Sequence, residues 1–256
     1  MIAARAPAPT GHERCRGFFD LAPERRALNV RSRVLRRRDA SLVRAMSVTK
    51  LLDQLQADLG PDERASREHR FFDAPPSTGS LRAFAGEQYM ILRSGRGTFR
   101  HLAWRFVEPP AGHFFLGLSR GKDPALERLL ALAGSLGYDQ DGLAAYEPSP
   151  GCHAYASFVA WLALHGSRAE VALALLANLP AWGESCRRLA DLSRGSCDTS
   201  FLEFFAEPAP AFAEQAIAVA RQGLAAGDRP ERVARAARML RAYELMFWDT
   251  LAADAF

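Results

Sequence analysis

The stretch that decides the fold is the last one, Asp228-Arg-Pro-Glu-Arg-Val-Ala-Arg-Ala-Ala-Arg-Met-Leu-Arg-Ala-Tyr-Glu-Leu-Met-Phe-Trp-Asp-Thr-Leu-Ala-Ala253. Val233, Ala237, Leu240, Phe247, Trp248 and Leu251 recur at three and four, which puts them on one face of an α-helix. Glu244 falls inside that stripe, between Leu240 and Phe247. A carboxylate on a core face is costly unless it is paired or neutral, and burial raises its pKa toward the range useful for acid–base work. The arginines of this segment, Arg229, Arg232, Arg235, Arg238 and Arg241, recur at three rather than 3.6. They therefore wind around the helix instead of forming one basic stripe for nucleic acid.

Working outward, the pattern stays helical. Val48, Leu51, Leu52, Leu55 and Leu59 predict a helix ending at Gly60-Pro61, followed by a second over 62–72. Ser80 is expected to cap a longer helix that is interrupted near Gly95-Arg-Gly97 and resumes to Val107. Asp123-Pro124 and Ser149-Pro150 read as N-caps with proline at the first helical position, closed by Gly137 and Gly166. A long helix over 168–194 contains Pro180, a short one covers 198–205, and an amphipathic one covers 209–226. Strand-like alternation appears nowhere at length, and the loops are short. The expected class is all-α, a helical bundle. Gly117-Leu-Ser-Arg-Gly121 matches the GxSxG nucleophile elbow, but that motif needs a strand-to-helix turn, so it reads as a chance match.

Composition narrows the function. The chain has 256 residues, 33 Lys+Arg against 29 Asp+Glu, and a net charge of +4. Residues 1–45 carry eleven arginines and four acids, so residues 46–256 are mildly acidic and the basic excess belongs to the leader. That leader reads as a disordered basic tail, a basic arm, or sequence upstream of a true start at Met46; the folded domain is expected over 46–256. No apolar run is long enough to span a membrane, and no secretory signal opens the chain. Cys15, Cys152, Cys186 and Cys197 show no metal or disulfide spacing and read as free thiols in a reducing cytoplasm. The histidines lack ligand spacing and ExxH pairs are absent, so no metal or other cofactor is expected.

Function in a bundle is built from polar groups on apolar stripes. Gln88 sits among Leu81, Phe84, Ile91 and Leu92; Tyr155 among Phe158, Val159 and Leu162; Asn178 among Val171, Leu175, Trp182 and Leu189. With Glu244 as the acid/base, Tyr155, Gln88, Asn178, Glu87, Phe84, Trp182 and Phe247 are the expected walls of one pocket. Amides and a carboxyl supply paired donors and acceptors and the aromatics supply stacking, which suits a planar, nitrogen-rich ligand.

Pro148-Ser-Pro150, Tyr155, Ala169-Glu-Val-Ala-Leu-Ala-Leu-Leu176, Trp182-Gly-Glu184 and Tyr243-Glu-Leu-Met-Phe-Trp-Asp249, in that order, resemble the TenA/PQQC family. The resemblance covers most of residues 50–253 and implies a haem-oxygenase-like fold. The TenA branch hydrolyses thiamin-derived aminopyrimidines with a cysteine, an aspartate, tyrosines and a glutamate on the last helix. Position by position, the glutamate falls on Glu244 and one tyrosine on Tyr155. The cysteine position holds Asn178, the aspartate position Gln88, and a further tyrosine position Pro208; Cys186 lies about two turns beyond Asn178. An amide is neither nucleophile nor base. The resemblance thus implies a small-heterocycle protein, hydrolysing a C–N bond only through water activated by Glu244. A PqqC-like redox enzyme and a non-catalytic ligand-binding or regulatory member stand as alternatives. It also allows a homo-oligomer.

Overall fold

Leu51, Leu55 and Leu59 turn inward together on the first described helix, and each later helix repeats that arrangement. The computed structural model of the chain describes residues 48–207 and 210–254, which belong to one compact unit. The expectations for residues 1–45, for a start at Met46 and for Pro208 lie outside the described residues. Ten helices follow in order: α1 (Val48–Arg67), α2 (Thr78–Arg105), α3 (Ala111–Arg120), α4 (Lys122–Ser135), α5 (Gln140–Ala144), α6 (Pro150–His165), α7 (Arg168–Ser193), α8 (Ser200–Ala206), α9 (Pro210–Ala225) and α10 (Pro230–Asp254). A 3-10 turn, Arg70–Phe72, follows α1. No strand occurs among the described residues beyond one isolated bridge, Arg194 to Cys197.

The helix starts follow local chemistry. Ser167 Oγ accepts from the Glu170 N–H while the Glu170 carboxylate accepts from the Ser167 N–H, a reciprocal cap for α7. Pro150 opens α6 after Ser149, and Gly137 takes a φ of 79° after α4, where a side chain would be strained. α10 packs against α6, α7 and α1, and α2 packs against α3, α6 and α4. Two apolar clusters result. One gathers Leu55, Phe115, Leu173 and Val219; the other gathers Phe84, Leu129, Phe201 and Trp248.

Several boundaries differ from the sequence reading. α1 runs through Gly60-Pro61 instead of stopping. Proline removes one helical N–H bond, but Leu59 before it and Ser66 after it are both buried, and that packing against α7 and α10 holds the helix together. α2 is unbroken through Gly95 and Gly97, and its cap is Ser77, whose Oγ accepts from the Ser80 N–H at 3.0 Å. α3 and α5 were not expected. The GxSxG stretch lies on α3 and its end, where Ser119 Oγ donates to the Arg96 carbonyl, so its serine is a helix-packing residue.

Candidate functional site

Between these helices lies a cavity of about 790 Å³, within the range that holds small ligands. Glu244, Tyr155, Gln88, Asn178, Trp182 and Phe247, six of the eight residues singled out from sequence, line it. They arrive from α2, α6, α7 and α10, each as the polar or aromatic member of an otherwise apolar face.

Two do not reach it. Glu87 is buried, but it points at the start of α6, where its Oε1 accepts from Tyr146 Oη at 3.0 Å and from the Ser149 N–H at 2.7 Å. Lying 100° around α2 from Gln88, it meets the electropositive end of a neighbouring helix, where a carboxylate is stabilised. The Tyr146 ring lies directly on Gly86, where any side chain would collide with it. Phe84 sits behind the wall, stacked on Trp182 and Trp248 at 6.4 and 6.0 Å between ring centroids.

Glu244 is 1% exposed and its Oε2 accepts from Arg241 Nη1 at 3.0 Å. Arg241 is buried as well and donates through Nη2 to Ser66 Oγ at 2.8 Å. Its membership of the arginine spiral hid it from the sequence reading; three-residue spacing from Glu244 was the available signal. Arg229, Arg232 and Arg238 pair with Glu231, Glu170 and Asp58, so the spiral fastens α10 to itself, α7 and α1.

Burial pushes the Glu244 carboxyl up to about 7, against the opposing pull of the Arg241 charge and of the nearby Trp248 and Asn178 groups. The other carboxyl oxygen, Oε1, makes no hydrogen bond of normal geometry, although the Trp248 and Asn178 side chains stand near enough to favour the ionised form; Asn178 Oδ1 and Trp248 Nε1 likewise make none among the described residues. Asn178 Nδ2 makes one long contact, 3.5 Å, to Tyr155 Oη. Burial and the Glu244 charge raise the Tyr155 phenol, which stays protonated at neutral pH. Unpaired buried polar atoms each cost roughly 1–3 kcal/mol, so a cluster of them beside a cavity is a prepared site for polar groups from outside the chain.

Among the described residues no cysteine lines the cavity. Cys186 is buried elsewhere, its thiol raised by burial and then by the Glu244 charge, which makes it a poor nucleophile. Among the described residues no three His, Cys, Asp or Glu side chains gather as a metal site. The sequence reading missed Lys122, which lines the cavity; its signal was rarity, one of two lysines in a chain with 31 arginines.

The sequence profile of the TENA/THI-4/PQQC family matches residues 77–254. The chain belongs to that family. Solved TenA-type structures share the fold at low identity. A TenA homologue from Pseudomonas syringae pv. tomato superposes with a TM-score of 0.66 at 15% identity, over 82% of this chain and 95% of that one. A protein from Silicibacter sp. TM1040 described as a TenA family transcription regulator gives 0.64 at 15%, over 79% and 96%. A domain of unknown function with a haem-oxygenase-like fold from Shewanella denitrificans gives 0.64 at 11%, over 82% and 94%. Among proteins of curated function, none matches the sequence. The haem-oxygenase-like, all-α class expected from the sequence is therefore the class found, and no described helix is long and apolar enough to cross a membrane.

Proposed function

We propose that this TENA/THI-4/PQQC family member binds a planar nitrogen heterocycle of the aminopyrimidine class in the α2/α6/α7/α10 cavity. The observation that carries this reading is the pair of unpartnered buried acceptors, Glu244 Oε1 and Asn178 Oδ1, at an otherwise apolar and aromatic wall. An amidine-like edge, with a ring nitrogen beside an exocyclic amino group, offers the matching polar atoms. The amino group donates to Asn178 Oδ1, and the ring nitrogen shares a proton with Glu244 Oε1. Phe247 and Trp182 supply faces for the ring.

Hydrolysis of a C–N bond, in this reading, runs through Glu244 alone. With a pKa near neutrality it takes a proton from the attacking water and returns it to the departing nitrogen. None of the described cavity walls offers a thiol for a covalent intermediate, which favours ligand binding as the primary activity and slow hydrolysis as the secondary one. The test titrates 4-aminopyrimidine and thiamin into the protein, following thermal midpoint and product release. A rise in Tm that weakens at least tenfold in apparent affinity in Glu244→Gln supports the site. No shift with either compound sinks it.

The reading extends to a cytoplasmic homo-oligomer. Cys152, Cys186 and Cys197 form no disulfide, in keeping with a reducing compartment. Trp104 is 78% exposed, Trp161 and Leu164 are also open to solvent, and Arg105 Nη1 ties the end of α2 to the Ala163 and Gly166 carbonyls at the end of α6. Such an apolar surface suits a second copy. Light scattering that finds only monomer at micromolar concentration contradicts it.

A further inference from the structure

Lys122, the first residue of α4, lies at the far end of the cavity from Gln88. Its side chain passes over Gly95 of α2: a Cβ built there would meet Lys122 Cε at 3.0 Å and Nζ at 3.6 Å. A side chain at 95 would make a tight contact that the lysine must shift by a few tenths of an ångström to relieve, so the glycine leaves room for it to lie there. The ammonium stands 5.4 Å from the centroid of Phe99, and Gly95, Phe99 and Lys122 are all cavity walls.

None of the charged side chains near it pairs with it. Asp123, its chain neighbour, is held by Arg96, with Nε 3.1 Å from Oδ1. Arg128 donates to the Pro124 carbonyl and lies over the Phe204 ring. Glu203 accepts from Thr199 Oγ1, and both it and Glu207 are exposed; neither forms an ion pair with Lys122. Lys122 therefore has no hydrogen bond or ion pair among the described residues, and burial without a counter-charge pulls its ammonium down to about 8. A half-buried lysine facing a cavity, with no carboxylate paired to it, is suited to an anion brought by the ligand.

Gly95 lies seven residues beyond Gln88 on one unbroken helix, about 10 Å along its axis. We infer that Lys122 is the anion-binding end of the cavity, taking a phosphate ester or carboxylate borne by the ligand about 10 Å from its heterocycle. This rests on the heterocycle reading above for which end is which, but not for the anion site itself. The occupant is thus a two-ended molecule, with a hydrogen-bonding ring at Glu244 and Asn178 and a negative terminus at Lys122. A single charge-assisted contact of this kind is the stronger type of hydrogen bond, and sets a preference of about tenfold or more over a neutral analogue.

Thiamin and thiamin monophosphate differ only by such a terminus and have the required reach. Their affinities are compared by tryptophan-fluorescence titration on the wild type and on Lys122→Met. The expected result is about tenfold tighter binding of the monophosphate than of thiamin to the wild type, with the two compounds bound about equally by Lys122→Met. Equal affinities, or a preference that survives in Lys122→Met, overturn the anion site and leave the heterocycle reading standing. Should neither compound bind, the heterocycle reading fails, and the anion site is decided by a measurement that needs no ring. Reductive 13C-methylation of a protein with two lysines gives two lysine signals, and inorganic phosphate is added during their pH titration. A Lys122 midpoint near 8 that rises with phosphate, more than that of Lys50, supports the site. A midpoint indifferent to phosphate overturns it.

Discussion

Glu87 and Glu244 are buried to the same extent, 1% exposed each, yet their surroundings make them different objects. Glu87 Oε1 accepts a phenol and a backbone N–H at the start of α6 and joins α2 to its neighbour, while its Oε2 is buried without a partner away from the cavity. Glu244 has one oxygen tied to Arg241 and the other unpartnered at the cavity wall. Burial of a carboxylate is therefore no sign of function by itself. Each leaves one oxygen without a partner among the described residues; what separates the two is that Glu244 lines the cavity and Glu87 does not.

The largest effect expected is on the Glu244 side. Arg241→Met removes one partner of a buried ion pair, and a loss of about 3–5 kcal/mol in urea denaturation is expected, because Glu244 is left without its counter-charge. Wild-type stability in that variant would mean that the pair is open to water. Next comes Glu87→Ala, which leaves the Tyr146 hydroxyl and Ser149 N–H unsatisfied. Stability should fall by about 2 kcal/mol, while affinity for any cavity ligand stays within a factor of two of wild type. A large affinity loss there would erase the distinction between the two carboxylates.

The pH response sharpens the comparison further. The Glu244 pKa is raised from 4.5 to about 7 on folding, so the folded state holds that proton more tightly than the unfolded chain. Its contribution to stability is full below about 4.5 and is lost as pH rises toward 7. The stability of the wild type relative to Glu244→Gln, which is neutral throughout, should decline across that window by up to roughly 3 kcal/mol. Denaturation at several pH values measures it, and a flat difference would show that Glu244 titrates alike in the folded and unfolded chain. The smallest effect is expected for Tyr155→Phe, which removes only the 3.5 Å contact to Asn178; stability should change by under about 1 kcal/mol.

Most of the fold was legible because helix periodicity is a local property. The stripes of α2, α6, α7 and α10 are each visible within a few turns, and six of eight expected wall residues line the cavity for that reason. The failures share one cause. Pro61 reads as a stop, and only the burial of Leu59 and Ser66 against other helices carries α1 past it. Glu87 and Gln88 are adjacent, and only the position of α6 decides which one faces the cavity. Arg241 looks like any arginine of a surface spiral until Ser66 and Glu244 are seen around it.

The sequence by itself determined the all-α class, the family and the inward placement of Gln88, Tyr155, Asn178 and Glu244, because side-chain direction along a helix follows from residue spacing. Tertiary structure alone decided which polar atoms found partners. That question depends on distances between segments far apart in the chain, and periodicity carries no information about them. Lys122 over Gly95, Arg241 on Ser66 and the free oxygen of Glu244 are all products of that packing.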